Sequence, residues 1–155
     1  MENQLPNAAH LVAIVVTTAV VLGCVLLHYE VLRSYTGLLL RITIRTRPRI
    51  MVLILGILVL HAAEIWIFGL AYYLLTQNPD HGALIAATDL IDVATLQLLD
   101  YVYYSAAVYT TLGFGDLVPL GPIRYLTGAE AVSGLVLITW SASFTFLEMQ
   151  RFWKN

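Results

Sequence analysis

Hydrophobic and polar positions along the 155-residue chain separate into blocks. Three long apolar stretches run Leu11–Leu27, Met51–Leu75 and Leu126–Leu147. At about 1.5 Å per helical residue, each is long enough to cross a hydrocarbon layer roughly 30 Å thick. Within lipid a segment must satisfy its own backbone hydrogen bonds, so all three are predicted to be helices. None shows the period-two alternation of a membrane barrel strand. The pattern therefore predicts an all-α membrane protein with three transmembrane helices.

The polar intervals divide the chain. Residues 1–28 hold a short N-terminus and the first span, and residues 29–49 form a basic linker. Residues 50–155 form a module of their own: a helix over 50–76, an outer loop over 77–93, a short helix over 94–110, a glycine-bearing run over 111–116 and a last helix over 124–150. Gln77-Asn78-Pro79-Asp80-His81-Gly82 is the turn chemistry that stops the second helix. The short helix, rich in tyrosine, cannot cross a membrane comfortably. A re-entrant helix fits its length, with its non-helical continuation shielded by protein or lining water.

Composition adds direction to this topology. Hydrophobic residues make up 59% of the chain and charged residues only 12%, against roughly a quarter charged in soluble domains. Arg33, Arg41, Arg45, Arg47 and Arg49 lie between the first and second spans, and Arg151 and Lys154 follow the third. Only Arg124 falls between spans two and three. The positive-inside rule places the linker and the C-terminus in the cytoplasm and the N-terminus outside. The mixture of Leu38, Leu39, Leu40, Ile42 and Ile44 with arginines at Arg41–Arg49 suits the headgroup surface, where the arginines fix topology or meet anionic lipid. The net charge of −2 gives no reason to expect a nucleic-acid partner. The single cysteine, Cys24, has no intrachain partner for a disulfide. The chain shows no nucleotide loop and no nucleophile–base pair, so it does not read as an enzyme, and no organic cofactor is expected. No folded sensor is read after the third span, so a regulator would be a separate protein.

The chemistry concentrates in Thr110-Thr111-Leu112-Gly113-Phe114-Gly115-Asp116. This run, set between two spans, resembles the selectivity filter of tetrameric P-loop potassium channels, including small bacterial members of that family. The resemblance covers about Met51 to Trp153 and implies a plasma-membrane homotetramer that passes K+ through a ring of carbonyls. It assigns ion binding to Thr111, Leu112, Gly113, Phe114 and Gly115, with K+ at Thr111 through Phe114. Backbone carbonyls can replace the ion's hydration shell, and glycines permit the conformations that aim them. On the family's pattern Tyr103, Tyr104, Thr110 and Asp116 support the filter, and Phe114 packs behind it. Gly134 falls near an inner-helix hinge or at a close helix contact, and Ile138, Ala142 and Phe146 are expected to line the cavity and gate. Ala107 stands where some members carry a glutamate bonded to the acidic residue beyond the filter, so that bond is not expected here. A non-selective monovalent cation channel is the alternative reading. The first span contains no basic residue, so no voltage-sensing helix is read.

Two acids fall inside spans. Glu64, with His61 one turn before it on the same face, reads as a proton sensor or a structural pair held by His61, Trp140, Ser141 or a tyrosine. Glu130 reads as packed behind the filter, against Arg124 or tyrosines, or as attracting ions. Asp80, Asp89, Asp92 and Asp100 make the outer connection acidic.

Overall fold

The computed structural model describes residues 8–41, 46–87 and 96–153. Its elements are α1 (Ala8–Arg41), α2 (Thr46–Thr76), β1 (Ala83–Ala86), α3 (Leu98–Tyr109), β2 (Leu117–Leu120) and α4 (Arg124–Trp153), with single 3-10 turns at Pro79–His81 and Gly121–Ile123. Three helical segments, Ala8–Gly37, Ile50–Thr76 and Gly121–Arg151, are long and apolar enough to cross a membrane. Each exceeds roughly 40 Å, more than a hydrocarbon core requires, so tilt or emergence at the ends accommodates them. The protein is therefore a mostly helical membrane protein with three candidate spans and a short fourth helix between the last two.

The first helix does not stop near residue 28 but continues through Arg41. Nothing between Tyr29 and Gly37 breaks a helix: Glu30 and Arg33 pair at i,i+3, and the Ser34 and Thr36 hydroxyls donate to carbonyls one turn back. Only the membrane-crossing stretch was marked by hydropathy, whereas the helix itself runs on into polar sequence. Within the basic linker, residues 42–45 lie outside the described residues, as do Asp89 and Asp92 of the outer connection.

One core joins α1, α2, α3 and α4 around Phe68, Tyr72, Tyr104, Tyr109, Leu126 and Leu137, with Cys24 from α1 buried among them. A second, smaller one holds Leu32 against Leu53 and Ile57 near the other end of the spans. The many exposed apolar side chains, among them Val15, Leu26, Val59 and Leu74, lie on helical faces that an aqueous protein would have to cover.

The described residues that follow α2 hold regular structure. Asn78 accepts the Asp80 N–H and starts the 3-10 turn, and β1 then pairs antiparallel with β2, Ala83 opposite Leu120 and Ala86 opposite Leu117. The chain after α3 is thereby returned to the end of α2. Strands of four residues are too short to show a period, which is why hydropathy missed them.

Candidate functional site

The site begins with α3, whose start is fixed by Asp100: its carboxylate accepts the Gln97 N–H at 2.7 Å, and its charge suits the positive helix end. Asp100 is thus a capping residue rather than a free surface acid. Twelve residues carry the helix about 18 Å inward. Tyr109, its last residue, meets α4 at Gly134 and α2 at Glu64, ten residues from the start of α4 and twelve from the end of α2. α3 therefore descends to roughly the middle of both neighbouring spans. Residues 110–116 climb back from there to β2 on the side they came from, so the connection is re-entrant.

The climb has a distinctive backbone. Thr111, Gly113 and Gly115 take φ of 60°, 51° and 78°, and Thr111 is the one non-glycine with positive φ among the described residues. Handedness thus reverses at every second residue from 111 to 115. In a strand successive carbonyls point to opposite sides, whereas an alternation of handedness can turn them to a common side. The Thr111 N–H reaches the Val108 carbonyl at 2.9 Å and the Gly113 N–H reaches Ala107 at 3.0 Å, which caps the end of α3. Leu112 and Phe114 are about two-thirds exposed.

Tyr103 and Asp116 hold this run in place. The Tyr103 O–H donates to Asp116 at 2.8 Å, while the other Asp116 oxygen accepts the Leu117 N–H and its carbonyl accepts the Ala87 N–H. The Phe114 ring stacks parallel on Tyr103 with centroids 6.3 Å apart. The Asp116 carboxylate beside it pushes the Tyr103 phenol above its ordinary range. So the acid whose partner is missing at Ala107 finds it one turn earlier on α3.

Tyr104 has another place. Its hydroxyl meets Thr127 at 3.1 Å and its ring lies edge-on to Tyr72, so it ties α3 to α4 and α2. Behind α3, Glu130 is fully buried and accepts hydrogen bonds from Tyr72 at 2.6 Å and Ser105 at 2.5 Å. Tyrosine and serine, not Arg124, satisfy it. Thr110 donates to the Ala106 carbonyl and closes the helix.

Gly134 lies within an unbroken α4, and a side chain there would strike the Tyr109 carbonyl. Close approach, not a bend, is its visible role. Ile138, Ala142 and Phe146 share one side of α4, where with Ile54, Ile57 and His61 of α2 they line an open groove of about 380 Å³.

His61 and Glu64 are joined at 3.1 Å as part of a larger cluster. The Tyr109 O–H donates to Glu64, and His28 of α1 meets the other carboxylate oxygen at 2.9 Å. The far nitrogen of His28 lies 3.2 Å from the Ser141 hydroxyl, and its ring packs 5.1 Å from Trp140. His28 was invisible to sequence reasoning because it falls just beyond the first apolar block. The signal was there: Cys24 and His28, one turn apart, place two polarisable side chains on one face of α1.

Compared with known proteins, residues 49–151 match the family model described as ion channel. No curated protein and no solved structure matches the chain.

Proposed function

The chain belongs to the ion channel family, and from that premise we propose that it is the pore-forming subunit of a potassium-selective channel assembled from four copies. The observation that carries this reading is the alternating handedness of Thr111, Gly113 and Gly115 in a re-entrant run. With carbonyls turned to one side, Thr111, Leu112, Gly113 and Phe114 can offer K+ a cage in place of its hydration shell. One chain supplies one wall of such a cage. The exposure of Leu112 and Phe114 in a single protomer fits a surface that neighbouring copies cover. Four α3 helices would aim their partly negative C-terminal ends at the same axis, which favours a cation there.

In this reading the pore sits in the plasma membrane with the Arg41–Arg49 side and C-terminus in the cytoplasm and the filter opening outward. Those arginines would meet anionic lipid. Ile138, Ala142 and Phe146 would narrow the inner passage, where an apolar ring closes by dewetting.

The test is ion flux through purified protein in liposomes. Potassium flux that exceeds sodium flux and is blocked by barium is expected. Equal passage of both ions would replace selectivity with a general monovalent cation pore. A verified monomer that carries no ion would end the channel reading, while a silent tetramer would point to a separate regulatory protein.

Tyr103 supplies a finer check. The neutral phenol donates to Asp116, and its raised titration keeps that bond intact through the ordinary tyrosine range near pH ~10. The bond is fully present below that range and is lost only as pH rises through the higher folded-state value. Flux should therefore stay level through that range and fall above it. In Tyr103→Phe, which keeps the stack on Phe114, flux at neutral pH should drop severalfold and the alkaline fall should vanish. An unchanged alkaline limb in the variant would remove Tyr103 from the filter's support.

A further inference from the structure

A buried cluster of one acid and two histidines joins α1, α2 and the end of α3. The Glu64 carboxylate is fully buried, and its two ion-pair partners, His28 and His61, are both histidines. A charge at this depth is costly unless neutralised.

The donor atoms are also placed for more than hydrogen bonding. One ligand atom from each of His28, His61 and Glu64 lies within 4.8 Å of the others. Nδ1 of His28 is 2.9 Å from one carboxylate oxygen, Nδ1 of His61 is 3.1 Å from the other, and the Tyr109 hydroxyl is 2.9 Å from Nδ1 of His61. Ligands held at about 2.0–2.1 Å around a tetrahedral cation stand roughly 3.3 Å apart. The two histidine–carboxylate distances, 2.9 Å and 3.1 Å, fall a few tenths of an ångström short of that spacing. On the far side of the His28 ring, Ser141 lies within reach of Nε2. With Nε2–H donating to it, Nδ1 would offer its lone pair to a cation. Such an outer partner is what orients a ligating imidazole.

Access exists as well. His61 is about 15% exposed and forms part of the wall of the α2–α4 groove together with Ser141 and Ala142.

The geometry points to a binding site for a divalent d-block cation, of which Zn2+ is the best match, formed by His28 of α1 with His61 and Glu64 of α2 and completed by the Tyr109 hydroxyl at the base of the filter run. Two imidazoles and one carboxylate are a borderline nitrogen–oxygen donor set that suits Zn2+ and Co2+ better than Mg2+ or Ca2+. A bound cation would neutralise Glu64 and tie α1 and α2 to the end of α3.

The experiment uses the full chain in lipid nanodiscs, titrated with Zn2+ by calorimetry and with Co2+ by visible absorption. A Cys24→Ala background removes the chain's one thiol. Expected are one metal per chain, the intense Co2+ bands of four-coordination and a Zn2+-dependent rise in melting temperature. Glu64→Gln, which keeps the shape of the side chain, and His61→Gln should each weaken binding about tenfold or more. Ser141→Ala, which removes no ligand, should weaken it without abolishing it. The double variant His10→Ala, His81→Ala, with its changes remote from the cluster, should bind as the background does. Failure of the Cys24→Ala protein to bind, or binding kept in Glu64→Gln and lost in the His10/His81 variant, would overturn the site. Binding is read without ion flux, so its outcome is separate from that of potassium conduction.

Discussion

Gly113→Ala is expected to abolish potassium-selective flux while leaving the chain folded and assembled. The two halves of that result have different causes. A Cβ at Gly113 would meet no atom within 4 Å, so the protomer offers no steric objection. Its φ of 51° is the difficulty, since a side chain in the left-handed region costs roughly 1–2 kcal/mol per residue. Four copies in one ring would carry about 4–8 kcal/mol, on the same basis. Relief comes most readily by rotating the 113 peptide, which turns a carbonyl away from the axis. The protein should still migrate as a tetramer and retain its melting temperature within a few degrees. Its barium-blocked potassium flux should vanish, or be replaced by flux that no longer favours potassium over sodium. Wild-type selective flux in this variant would show that the 111–116 run does not coordinate the ion.

How far this arrangement could be read in advance depends on what each feature rests on. The spans were legible because burial in lipid demands a long apolar helix whatever its neighbours are. The unusual backbone of the 111–116 run was legible because Gly113 and Gly115, one residue apart after a short tyrosine-rich helix, permit the left-handed conformation that both adopt. Thr111 was legible as part of that run, but its left-handed conformation was not, because no threonine advertises a positive φ. Cross-helix partners were the hardest. Glu64 was marked by its depth and His61 by its spacing, whereas His28 comes from a helix whose rotation nothing local sets. Glu130 was marked in the same way, yet Tyr72 and Ser105 become its partners only through the angle at which α3 enters between α2 and α4. Tyr103 and Tyr104 are adjacent in sequence and so point to different faces of α3. One reaches Asp116 and the other Thr127, and the sequence alone does not say which side faces the filter run.

Gly134 separates two readings that the sequence left open, because they predict opposite signs for one substitution. A glycine that serves only as a hinge should become more stable as alanine, by about 1 kcal/mol, since alanine is the better helix former. A glycine that lets two backbones approach should become less stable. Here the new Cβ would lie 2.9 Å and 3.0 Å from the carbonyl carbon and Cα of Tyr109 and still closer to its oxygen. Those atoms belong to the backbone at the end of α3 and cannot swing aside as a side chain would. Gly134→Ala should therefore push α4 away from α3 and lengthen the Tyr109–Glu64 hydrogen bond, at a cost of about 1–3 kcal/mol per chain typical of overpacking. Gly128, on the same helix with nothing within 4 Å of its Cβ, is the internal comparison. Thermal unfolding of the two alanine variants should move in opposite directions, Gly134→Ala down by several degrees and Gly128→Ala level or up. A Gly134→Ala protein more stable than wild type would mean that α3 does not end against α4 and that the hinge reading holds. The expected loss would instead make the Tyr109–Gly134 contact the point at which the last span fixes the depth of α3.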